Sequence, residues 1–85
     1  MRPRPLLERL ARGNLANVRF TDAQRLVEAL GFSLDRVAGI HHIYRHPDIA
    51  GRINLQPRDG NAKPYQLRQL LDVIERHSLQ LREDH

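Results

Sequence analysis

The sequence contains no cysteine and no tryptophan. Without thiols it can form neither a disulfide nor a thiolate zinc centre, and that composition suits a reducing compartment. No apolar run approaches the ~20 residues of a membrane span. The opening Met-Arg-Pro-Arg-Pro is basic, but Glu8, Arg9 and Arg12 interrupt the leucines that follow. No apolar core of a signal peptide results, so the expected location is cytoplasmic, with no membrane partner. Phosphate-binding glycine loops and nucleophile elbows are missing. Asp35, Asp48 and Asp59 have no spacing that suggests a working carboxylate pair.

What is present fits one small domain. A chain of this length buries only about 60–65% of its extended surface, so the core has to be compact. Fourteen Lys and Arg against ten Asp and Glu give a net charge of +4. The sequence pI is about 10.6. That balance favours a polyanionic partner over a cationic one.

Residues 1–5 alternate Arg with Pro and read as extended and mobile. Leu6, Leu7, Leu10 and Ala11 follow helical spacing, giving a short helix over about 5–12 that ends at Gly13-Asn14. Thr21 and Gln24 have the spacing of a capping box, with Asp22 complementing the positive helix end. The helix that follows runs to Leu30, with Ala23, Leu26, Val27 and Leu30 on one face and Gly31 as its left-handed stop. Strands are predicted over 32–37, 41–46 and 52–56, joined by short turns, and residues 57–62 read as a loop. Pro64 suits a first helical position, and Leu67, Leu70, Leu71 and Ile74 form the apolar stripe of a second main helix. Leu79 and Leu81 alternate weakly, as in a frayed strand.

The most chemically loaded stretch is Gly39-Ile40-His41-His42-Ile43-Tyr44-Arg45-His46-Pro47, which holds three of the five histidines. On a strand, His42, Tyr44 and His46 share one face, and His41, Ile43 and Arg45 share the other. If Ile43 marks the buried side, His42 and Tyr44 stand on the open side, His41 points to the helices, and His46 is a surface residue. A histidine exchanges a proton near neutral pH. A metal site does not fit: His42 and His46 lie roughly 13 Å apart along a strand. Two zinc-bound nitrogens must each come within about 2.1 Å of the ion.

The element order gives an α+β fold, helix-strand-strand-strand-helix with a short extra N-terminal helix. Three antiparallel strands are covered on one face by the two main helices, as in a double-stranded-RNA-binding-domain-like fold. The expected organisation is an extension over 1–16, the domain over 17–79 and a charged tail over 80–85.

With that order in place, the chain resembles the HicA family of toxin-antitoxin modules from about Thr21 to Leu79. The resemblance rests on Leu30-Gly31-Phe32, on the Gly39–Pro47 stretch, and on Lys63-Pro64-Tyr65-Gln66-Leu67-Arg68-Gln69-Leu70-Leu71. It implies the toxin of a type II system, a small metal-independent endoribonuclease that cuts mRNA, uses no cofactor and is silenced by a HicB-type antitoxin. It also implies that His42 is the catalytic histidine. Ile40 stands where the family usually has Ser or Thr, a hydroxyl suited to orienting the histidine. The residue types offer Tyr44, Lys63, Arg58, Arg36 and Arg45 as phosphate contacts. Lys63 and Arg58 lie at the entry to the second main helix, whose free amides favour an anion. The competing reading is a non-catalytic RNA-binding or partner-binding domain of the same fold, in which His42 is a solvated strand residue without a task.

Overall fold

Helix α1 spans Pro3–Ala11. It begins inside the segment expected to be extended, because proline is tolerated in a first helical turn whose amides have no partner to lose. Leu6 and Leu10, one turn apart, are almost wholly buried. Each then contributes about 1.5–3 kcal/mol of hydrophobic stabilisation. Helix α1 packs on the two later helices, so Leu6 and Leu10, with Leu15 after them, join the core. The computed structural model describes residues 1–82.

Helix α2 spans Phe20–Ala29, two residues earlier than the Thr21 cap suggested. Arg19 is its N-cap and makes no side-chain cap bond. The start is set by tertiary pairing instead: the Phe20 N–H donates to Gly60 O at 3.0 Å. Gln24 is drawn away to donate to Tyr44 Oη at 3.1 Å, and Asp22 pairs with the N-terminal ammonium at 2.8 Å. The end is as expected, with Gly31 at φ +102. Glycine is required there twice over, since a Cβ would also meet His46 Nε2 at 2.9 Å.

Strands β1 (Ser33–Ala38), β2 (His41–His46) and β3 (Ile49–Leu55) form an antiparallel sheet in the order β1-β2-β3. In the register, Val37 and Leu55 flank His42, and Leu34 and Ile53 flank Tyr44. The irregularity expected near Gly39 lies between Leu34 and Arg36, with a second between Arg45 and His46. All six β1 residues are exposed, whereas α3 packs on β3 and α2 reaches Tyr44 of β2 through Gln24.

The grouping of side chains on β2 is as expected, but the face is the opposite one. Tyr44 and His46 are buried under the helices, whereas His41 and Arg45 are exposed on the open face. Ile43, the assumed inward marker, is only half-buried. The larger Tyr44 fills the space beneath α2, where Gln24 supplies the partner that a buried phenol requires.

Residues 57–62 are not an open loop. Strands β4 (Pro57–Arg58) and β5 (Asn61–Ala62) pair in a small hairpin. Asp59 and Gly60 at its tip have φ 53 and 82. Two positive φ values in an Asp-Gly pair are the mark of a tight two-residue hairpin turn. Helix α3 then spans Pro64–His77, with Lys63 as N-cap and Leu67 and Leu70 fully buried. Leu79 and Leu81 form no strand; they pack on the core, and the Arg82 N–H donates to Ala29 O at 2.7 Å. Of the charged tail, residues 83–85 lie outside the described residues. Among the described residues no helix is long and apolar enough to cross a membrane.

Candidate active site

His42 is the second residue of β2, opposite Leu55 at the end of β3. Its ring meets the edge of Phe20 with centroids 4.9 Å apart. Phe20 is the first residue of α2, so His42 lies at the rim of the helix layer, half-buried rather than sealed. Helix α3 begins nearby: the N–H of Gln56, next to Leu55, donates to Gln66 Oε1 in its first turn at 2.9 Å. The positive end of the α2 dipole therefore lies beside the imidazole, and the Gln56–Gln66 bond ties the end of β3 to the first turn of α3.

The hydrogen bond of the ring decides its chemistry. His42 Nδ1 lies 3.1 Å from Ile40 O. A carbonyl oxygen only accepts, so Nδ1 carries the proton and Nε2 of the neutral ring keeps its lone pair. The backbone of Ile40 thus orients the imidazole without a side-chain hydroxyl. The Ile40 side chain itself is 54% exposed.

The other two β2 histidines are placed opposite to expectation. His41 is on the open face, where its Nδ1 accepts from Asn54 Nδ2 at 3.2 Å. His46 is buried edge-on against Phe32 at 5.0 Å, and its Nδ1 accepts from the Asp48 N–H at 3.1 Å. Both neutral rings carry their proton on Nε2, the reverse of His42. Among the described residues no three His, Asp or Glu side chains gather as a potential metal site.

Tyr44 is withdrawn as a phosphate contact, because its side chain has no exposed surface. Burial raises its pKa; the Gln24 hydrogen bond opposes the shift and the Glu28 charge adds to it. The four basic candidates fall into two groups. Arg58 and Lys63 line one hollow, together with Tyr65, at the entry to α3. Arg36 and Arg45 belong to the open face of the sheet. Arg36 lines a shallow depression there with His41, Ile43, Arg52 and Asn54. Asp35 partly neutralises that face, at 3.8 Å from Arg45 and 3.3 Å from Arg52.

Phe20, the Ile40 carbonyl and the Gln56–Gln66 pair were not singled out from the sequence. The Asp59-Gly60 pair was the one local signal available, since it marks the hairpin that ties Arg58 and Lys63 to the start of α2.

Comparison with protein-family models matches residues 20–75 to the HicA toxin of bacterial toxin-antitoxin systems. That span covers α2, the whole sheet, the hairpin and most of α3, and it includes His42, Arg58 and Lys63. No curated protein and no solved structure matches the chain.

Proposed function

The chain belongs to the HicA toxin family of bacterial toxin-antitoxin systems, and from that premise we propose that it is a metal-independent endoribonuclease that cuts mRNA with His42 as general base. The observation that carries this reading is the hydrogen bond between His42 Nδ1 and Ile40 O. It leaves Nε2 free to take the proton of a ribose 2′-hydroxyl. The 2′-oxygen then attacks the adjacent phosphorus, the bond to the 5′-oxygen breaks, and that oxygen takes up a proton as it leaves. A positioned base contributes typically 10²–10⁴-fold. Fixed donors aimed at the developing charge add as much or more.

Lys63 and Arg58 supply cationic contacts to the phosphates, at the positive end of the α3 dipole. Arg36 and Arg45, on the other face of the sheet, act on the strand at longer range through the basic field. An antitoxin of the HicB type, with an acidic surface laid over the His42 rim, would silence the enzyme by closing access to Nε2.

Cleavage of an unstructured RNA by the wild type and by His42→Ala tests the proposal. We expect cleavage by the wild type, unchanged by EDTA, and a drop of at least about 10²-fold in the variant. Equal cleavage by both proteins would remove His42 from the chemistry. Binding by both without cleavage would leave a binding module of the same fold.

A further inference from the structure

Tyr65 has no role in the reading so far, yet it is 56% exposed at the second position of α3. It is not a loose surface side chain. Gln66 Nε2 donates to its hydroxyl at 3.3 Å, and Gln66, only 2% exposed, is itself fixed by the Gln56 N–H. A buried amide thus tethers the phenol by its oxygen while much of the ring stays in solvent. Tyr65 also borders a hollow of about 390 Å³ lined by Asn17, Arg58, Asp59, Asn61 and Lys63. Two cations and one anion leave that lining with a net positive charge. Asn17 and Asp59 on its rim both hold positive φ, 59 and 53, a backbone shape that asparagine and aspartate adopt more readily than most residues.

We propose, resting on the nuclease reading above, that this hollow is a nucleotide subsite. A base of single-stranded RNA stacks on the Tyr65 ring, and Lys63 and Arg58 hold the phosphate next to it. An aromatic platform beside cations binds single strands with little sequence preference, since every base has a π-face. Duplex RNA is refused, because its bases are already stacked on one another. The subsite sets the register of the strand against His42 through the hairpin: Phe20, which touches the His42 ring, is bonded through its N–H to Gly60 at the hairpin tip.

The test uses a short fluorescent oligoribonucleotide without secondary structure, titrated by anisotropy against the His42→Ala protein so that cleavage does not intervene. Stacking is worth roughly 5- to 150-fold in affinity per base. Tyr65→Leu in that background is expected to bind at least about 5-fold more weakly, and Tyr65→Phe within about 2-fold of the parent. The slope of log affinity against log salt should stay unchanged in Tyr65→Leu and become shallower by about 0.7 in Lys63→Ala. Scanning one abasic residue along the oligonucleotide should weaken binding to the folded parent at one position, which keeps the test independent of how Tyr65→Leu folds. The proposal is overturned if Tyr65→Leu binds as tightly as the parent, if no abasic position matters, or if the parent binds no RNA. Wild-type cleavage is scored separately. Cleavage without a Tyr65 effect removes only the subsite, and Tyr65-dependent binding without cleavage removes only the nuclease.

Discussion

Replacing Tyr44 tests the orientation of β2, on which the site geometry depends. Its side chain is fully buried and its hydroxyl accepts from Gln24 Nε2 at 3.1 Å. Tyr44→Phe removes that hydrogen bond and keeps the ring, so the expected loss is about 1 kcal/mol. For a domain of this size that lowers the melting temperature by about 4–8 °C. Tyr44→Ala removes the ring as well and should cost about 3–5 kcal/mol, a large share of the 5–15 kcal/mol typical of a whole domain. Urea denaturation measures both, and RNA binding by Tyr44→Phe should match that of the wild type. Were Tyr44 on an open face, both substitutions would fall within about 0.5 kcal/mol, and loss of the hydroxyl would weaken RNA binding. That outcome would refute the burial argument and restore Tyr44 as a phosphate contact.

Leu10→Ala should cost about 2–5 kcal/mol, measured by denaturant unfolding, because α1 belongs to the core; a neutral result would make the first sixteen residues an appendage. The raised pKa of Tyr44 makes its protonated form the one that folding favours. Its contribution is complete below the ordinary tyrosine value of about 10 and declines as pH rises through the higher folded value. In a Tyr65→Phe protein, where Tyr44 is the remaining tyrosine, phenolate absorbance should therefore lag behind that of the unfolded chain. Gly31→Ala should destabilise by more than about 1 kcal/mol, read as a shift in urea midpoint, since it combines a left-handed φ with a close approach to His46.

Much of the fold was legible because its signals are local. Gly31 stops α2, Pro64 starts α3, and β2 runs over the predicted residues 41–46. The failures came where a tertiary partner outweighed local pattern. Alternation on β2 fixed which side chains travel together but not which set faces the helices, and Ile43 and Tyr44 competed for that place. The choice followed from Gln24, a residue whose sequence context suggested a cap. His41 and His46 were misplaced by the same inversion. For the site, the motif pointed to His42 and to the Lys63 region, but the group that orients the ring is a backbone carbonyl. Every residue carries one, so no residue type could announce it. Ile40 looked like the loss of an orienting hydroxyl, and its main chain does the orienting.

The central claim is that His42 offers an unprotonated Nε2, and nitrogen-15 NMR of the imidazole ring at a pH where it is neutral tests it most directly. The account predicts a proton on Nδ1 of His42, held toward Ile40 O, and a lone pair on Nε2, with His41 and His46 showing the opposite tautomer. A His42 ring protonated on Nε2 would contradict it, because that nitrogen would then have no lone pair with which to take the proposed 2′-hydroxyl proton.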